Sequence, residues 1–167
     1  GEHLITSEWI YGGTRRLFDQ VRRRIGALDF TWVDMTDPSA VAAAIRPTTK
    51  LIWIETPTNP LLKITDIAAI VAIARQHKVL TCVDNTFATP CFQRPLELGV
   101  DIVMHSATKY LNGHSDVIGG AIDRDWLRAF SQAHERADFD RVLVGYTSTA
   151  AAGFAVAAIA VGIRFRT

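Results

Sequence analysis

From Phe30 to Ile122, short apolar runs alternate with amphipathic stretches at a spacing that leaves few folds open. Phe30–Val33 (FTWV), Lys50–Glu55 (KLIWIE), Val79–Val83 (VLTCV) and Asp101–His105 (DIVMH) are rich in β-branched and aromatic residues and predict strands. Helical signals fall between them. Asp37 before Pro38 predicts an N-cap with proline at the first helical position of DPSAVAAAI. Thr65 is expected to cap TDIAAIVAIARQHK, where Ile67, Ile70, Val71 and Ala74 recur on one helical face. A further short helix is expected near Gln93–Leu98. Strands separated by helices imply βαβ crossovers, hence an α/β fold with a mostly parallel sheet flanked by helices. Asp116–Ile122 (DVIGGAI) predicts another strand. The stretch Ser106–Ser115 before it is too short for a parallel return, so this strand is expected to run antiparallel.

Composition narrows the function classes. The 167 residues are 49% apolar and 21% charged, which excludes a disordered chain. Eighteen Lys and Arg against 17 Asp and Glu give a net charge of +1, without the electrostatic footprint of a nucleic-acid binder. Cys82 and Cys91 form neither a disulfide framework nor a metal-binding pair, which suits a reduced, cytoplasmic compartment. The chain begins at Gly1, and no signal peptide follows. Val142–Ile163 carries no charge over 22 residues. That length could cross a bilayer, but its Ala, Gly, Ser and Thr content makes insertion marginal. A buried Ala-rich helix, or a segment out of its proper context, is expected instead of a membrane span.

In open α/β sheets, ligands bind beyond the carboxyl ends of the strands. Asp84 closes VLTCVD there, and a carboxylate at the end of a buried strand is costly without a cationic or strongly donating partner. An ordinary cap for the next turn accounts for it equally well. Lys109 follows DIVMH in the loop HSATKYLNGHSD, among the hydroxyls of Ser106 and Thr108 and the flexible Gly113. Such a loop can bind phosphate through hydroxyls and backbone N–H groups, and desolvation favours the neutral amine that imine formation needs. A surface loop without a ligand is the plainer alternative. Together, an acid and an amine at two consecutive strand ends suit a ligand that is basic at one pole and electrophilic at the other. Pyridoxal phosphate has that character.

The motifs ETPTNP (55–60), VDNTFATP (83–90), QRPLELG (93–99) and SATKYLNGHSD (106–116), with YGGT (11–14), resemble the Cys/Met-metabolism enzymes that use pyridoxal phosphate. The resemblance runs from Leu4 to Ile122 and is of the cystathionine γ-lyase and γ-synthase type. It implies the large domain of the fold-type I pyridoxal phosphate enzymes, α,γ-elimination or γ-replacement on a γ-substituted amino acid, and a homo-oligomer built as a dimer of dimers. It also implies roles for single residues. Lys109 is similar to the Schiff-base lysine and proton shuttle, Asp84 to the partner of the pyridine nitrogen, and Ser106 and Thr108 to phosphate contacts. Tyr11 resembles the tyrosine that stacks on the ring and assists proton transfer. Asn59 resembles the asparagine that meets the 3′-oxygen, although Asn before Pro is also ordinary turn chemistry.

Other readings are weaker. Ser106–Lys109 fits the SxxK tetrapeptide of penicillin-binding enzymes, but no KTG element follows and Asn112-Gly113 would break the helix that serine should open. His105 and His114 lack metal-ligand spacing and read as structural, as does Cys82, while Arg22, Arg23 and Arg24 read as a solvated helix end. No match is found for the family's glycine-rich phosphate turn, the phosphate contacts of a neighbouring subunit, or the arginine that grips the substrate carboxylate. The expectation is therefore an incomplete large domain over 1–141 and an apolar tail over 142–167 without family resemblance. The alternatives are a non-catalytic remnant or a methionine γ-lyase-type activity.

Overall fold

The computed structural model describes residues 1–25, 28–124 and 142–145. Its centre is a seven-stranded sheet in the spatial order β2-β1-β3-β4-β5-β6-β7. The strands are β1 (His3–Ser7), β2 (Asp29–Val33), β3 (Thr49–Glu55), β4 (Leu80–Asp84), β5 (Ile102–Ser106), β6 (Gly119–Arg124) and β7 (Val142–Gly145). The first five run parallel, and β6 and β7 are antiparallel to their neighbours. The short return after β5 therefore has the expected effect on strand direction.

Side chains alternate across a strand, so residues two apart share a face. Ile5, Ile52, Ile54, Val83 and Val103 form one core with Met35, Val41, Ile67, Ile70 and Val71. Leu4, Leu51, Trp53, Cys82, Ile102 and Met104 form the other with Phe18 and Phe30. Both faces are buried, which is why these strands read as continuous apolar runs.

Helices α3 (Pro38–Ala44) and α4 (Ile67–Gln76) cover the first face. Asp37 caps α3 through Ser39 N–H at 2.9 Å, with Pro38 opening the helix as predicted. In α4 the buried residues are Ile67, Ile70, Val71 and Ala74, the predicted set. Its cap is Asp66, which accepts from Ala69 N–H, and not Thr65. Thr65 is instead drawn inward, where its N–H donates to Thr56 Oγ1.

The second face is covered by α1 (Gly12–Arg16), which continues through a π-helical stretch (Leu17–Arg22) into α2 (Arg23–Ile25). Phe18 from this segment stacks on Phe30 and meets the Trp53 edge. The connection from β4 to β5 holds α5 (Thr89–Phe92) and a 3₁₀ turn at Pro95–Leu98, the latter within the expected helical stretch.

Two strand boundaries differ from expectation. β6 starts at Gly119, because Asp116 lies in the preceding loop and accepts a hydrogen bond from Asn112 Nδ2. Val142–Gly145, the start of the uncharged stretch, pairs with β6 as a strand and is not helical. Residues 146–167 lie outside the described residues. Among the described residues, no helix is long and apolar enough to cross a membrane.

Candidate active site

Strand order reverses between β1 and β3, since β1 is followed by β2 on one side and β3 lies on the other. A crevice at such a reversal, at the carboxyl ends of the strands, is where open α/β sheets hold ligands. Tyr11 follows β1 and Glu55 ends β3, so one residue stands on each side of it.

Alternation then sorts the strand ends. Glu55 shares a face with Leu51 and Trp53, Asp84 with Cys82, and Ser106 with Ile102 and Met104. These three polar residues therefore belong to the face that α1 covers, and Tyr11 is the residue at which α1 begins. The Tyr11 N–H donates to Glu55 Oε2 at 2.7 Å across the reversal. The Tyr11 ring lies against Gly13, where an added Cβ would run into it, so YGGT gives the aromatic ring room beside the helix start.

Asp84 is 6% exposed. Its Oδ1 accepts from Thr86 N–H at 3.0 Å and from Thr86 Oγ1 at 2.6 Å. The Thr86 hydroxyl oxygen in turn accepts from Ser106 N–H at 2.7 Å, which links the ends of β4 and β5. Asp84 thus shapes the turn after its own strand, as the capping alternative anticipated, although α5 does not begin until Thr89. Both Thr86 bonds end on Oδ1, and among the described residues Oδ2 is left for another donor. Burial pushes the Asp84 carboxyl above the usual carboxylate range, against the pull of the Thr86 donors.

Glu55 is the site residue that the sequence reading missed. It sits opposite Asp84 in the parallel ladder and is likewise 6% exposed. Burial first, and the Asp84 charge second, push its carboxyl up to about 8, while the backbone N–H groups of Tyr11 and Asn59 pull it down. The signal was present, since Glu55 closes an apolar run just as Asp84 does. The prolines of TPTNP directly after it mark the end of that run as a turn.

The remaining predicted residues divide. Asn59 is exposed and reaches this cluster through its backbone N–H on Glu55. Ser106 is half-buried at the end of β5. The Thr108 hydroxyl donates to Gly119 C=O and accepts from Gly119 N–H, fastening the lysine loop to β6. Lys109 is exposed and not partly desolvated as expected. Its loop closes as a turn beyond the sheet, with Lys109 N–H on Ser106 C=O and Gly113 N–H on Lys109 C=O. A second clamp steadies the site from below. The buried Asn85 donates to Gln93 C=O, and the Gln93 amide donates to Asn85 Oδ1 and to Thr56 C=O, joining the segments that follow β3 and β4.

The sequence model of the Cys/Met metabolism PLP-dependent enzymes matches residues 1–157. The chain belongs to this family. A probable cystathionine gamma-synthase of Herpetosiphon aurantiacus is 60% identical over 122 residues, covering 73% of this chain and 38% of that protein. A cystathionine beta-lyase of Coxiella burnetii is 55% identical over 120 residues, covering 72% and 31%. The crystal structure of cystathionine gamma-lyase from Lactobacillus plantarum, complexed with L-serine, superposes with a TM-score of 0.75 at 55% identity. It covers 79% of this chain and 34% of that one. The chain thus spans about a third of the length of the relatives it matches. Its fold is that of the family's mostly parallel sheet with flanking helices.

The residues present fit the family's cofactor, pyridoxal 5′-phosphate. A buried carboxyl with an oxygen to spare suits a ring N–H, and the next strand end offers a hydroxyl and an amine in one loop.

Proposed function

We propose that the chain forms the cofactor-binding part of a pyridoxal phosphate-dependent transsulfuration enzyme. Its substrates would be γ-substituted amino acids, handled in the manner of a cystathionine γ-lyase or γ-synthase. The observation that carries this reading is the buried Asp84 carboxyl at a strand end, joined through Thr86 to the strand that leads into Lys109. When bound, pyridoxal phosphate supplies an aldehyde that reacts with amines and a ring that takes up carbanion charge.

The chain's own residues divide the remaining work. Asp84 would hold the ring nitrogen with its remaining oxygen and would favour the protonated ring, since an anion next to a cation favours both charged forms. Lys109 would hold the cofactor at its aldehyde, and its amine, when free, would take the substrate's α-proton and return it at another carbon. Ser106 and the loop that Thr108 fastens to β6 would hold the phosphate through hydroxyl and N–H donors. Tyr11 would stack on the ring, with its phenol placed to assist proton transfer at the substrate. Asn59 would meet the 3′-oxygen through its amide.

A homo-oligomer and a cytoplasmic location belong to the same proposal. The exposed Phe87 and Tyr110, whose rings meet edge to face, support the first, since exposed apolar patches mark association surfaces. The partition into a large-domain portion over 1–141 and a distinct segment over 142–167 is also proposed, with β7 drawing the start of that segment into the sheet.

Titration of the 167-residue chain with pyridoxal phosphate, followed by visible absorbance, tests the reading. A weak but saturable band is expected, absent in Lys109→Ala and reduced in Asp84→Asn. No saturable band in the wild type, or one indifferent to Lys109→Ala, overturns it. Offering cystathionine, an O-acyl homoserine and methionine to the loaded protein separates the γ-lyase, γ-synthase and methionine γ-lyase chemistries.

A further inference from the structure

Two buried carboxyl groups stand side by side at this site, and the roles above use only one. Glu55 and Asp84 are partners in a parallel ladder, where neighbouring strands run about 5 Å apart and paired residues point to the same face. Glu55 ends β3 beside the strand-order reversal, and the Tyr11 N–H crosses that reversal to reach Oε2. The Asn59 N–H also donates to this carboxyl group. One side chain therefore holds the backbones of two residues, Tyr11 and Asn59, that arrive from different loops.

We propose that Glu55 is a positioning residue for the cofactor: it fixes Tyr11 and Asn59 at the end of β3 and, beside Asp84, sets the charge that meets the ring nitrogen. This rests on the function proposed above. Two adjacent buried carboxylates repel, so the pair keeps at least one proton near neutral pH. A ring N–H arriving at Asp84 favours the ionised form of that residue, which leaves the proton on Glu55. Protonated Glu55 still accepts backbone N–H bonds through its carbonyl oxygen, so the tether to Tyr11 survives the change of charge. Among the described residues, Asp84 on β4 is the charged group that acts on Glu55. Tyr11, on the segment after β1, meets it through the backbone and not the phenol. Lys109, beyond β5, is exposed.

Pyridoxal phosphate affinity, measured by absorbance titration from pH 6 to pH 9 in the 167-residue chain, tests the proposal with Glu55→Gln and Glu55→Ala. Gln is neutral at every pH and can accept both N–H bonds. Glu55→Gln should therefore overlay the wild type at pH 6 and depart from it above pH 8, where wild-type Glu55 ionises. Glu55→Ala, lacking both tethers, should bind about ten-fold more weakly at every pH, as expected for lost bonds to backbone donors. An infrared spectrum of the cofactor-free chain gives a readout without ligand. A protonated-carboxyl band present in the wild type at pH 7 should shrink in Glu55→Gln. A purely structural role predicts parallel pH profiles for the wild type and Glu55→Gln, and an unchanged carboxyl band. That result overturns the proposal while leaving the cofactor site standing. A wild-type chain that takes up no pyridoxal phosphate overturns the proposed function, and this inference with it.

Discussion

The Glu55–Asp84 pair should make the fold itself respond to pH, and Glu55→Gln isolates its share. The Glu55 carboxyl, ordinarily near 4.5, is pushed up to about 8 in the folded chain by burial and by the Asp84 charge. Between these values the folded chain keeps a proton that the unfolded chain has released. Stability therefore falls as pH rises through that window, is fully present below 4.5, and levels off above about 8. Each pH unit inside the window corresponds to about 1.4 kcal/mol, so the step from pH 5 to pH 7 should cost about 3 kcal/mol. Against a typical domain stability of about 5–15 kcal/mol, that is a large loss. Gln replaces the protonated acid with a neutral group of the same shape. Wild type and variant should therefore be nearly equal at pH 5, and the variant more stable by about 3 kcal/mol at pH 7. A residual slope from Asp84, itself pushed up by burial, should remain in both. Urea unfolding followed by the fluorescence of the buried Trp53 at pH 5, 6, 7 and 8 gives the four stabilities needed. Curves that run parallel, or a variant weaker than the wild type at pH 7, would show that the Tyr11 and Asn59 donors hold Glu55 ionised. The linkage argument would then be wrong.

Two further substitutions probe the neighbouring contacts. Thr86→Val removes the hydroxyl that donates to Asp84 and accepts from Ser106, leaving a half-buried N–H and a buried carboxyl short of a partner. A loss of about 1–3 kcal/mol in urea unfolding is expected, and a loss below 0.5 kcal/mol would show that the bridge is idle. Gly13→Ala places a methyl group against the Tyr11 ring and should displace it. The expected signs are an altered near-ultraviolet circular dichroism band of tyrosine and weaker pyridoxal phosphate uptake with little change in unfolding midpoint. An unaltered spectrum would count against the packing role given to YGGT.

Much of the fold was legible because its strands are buried on both faces and its helices carry one apolar stripe. Residues Ile67, Ile70, Val71 and Ala74 could be named as the buried side of α4 from their spacing alone. β1 was not foreseen, since HLITS mixes polar and apolar residues, yet all five positions are buried. His3 accounts for part of this, with its ring nitrogens bonded to Thr49 and Thr31 on the flanking strands. Such cross-strand partners lie 28 and 46 residues away and leave no local pattern. The cap of α4 moved by one residue because Thr65 was recruited by Thr56, again a contact distant in sequence. At the site, Asp84 stood out as an acid ending an apolar run, and Glu55 fits the same rule. What the sequence could not supply was the register that sets the two side by side.

That register makes the site sensitive to length in a way that substitution tables do not capture. Inserting or deleting a single residue between Leu51 and Glu55 would keep the strand apolar and its helices intact. It would nevertheless rotate Glu55 to the opposite side of the sheet, into the layer occupied by Ile70 and Val71, and release the Tyr11 segment. The same holds for Asp84 and the stretch from Leu80 onward. Counting residues between the first apolar position and the terminal acid is therefore a sharper criterion for an intact site in a related chain than the overall percentage of matching residues.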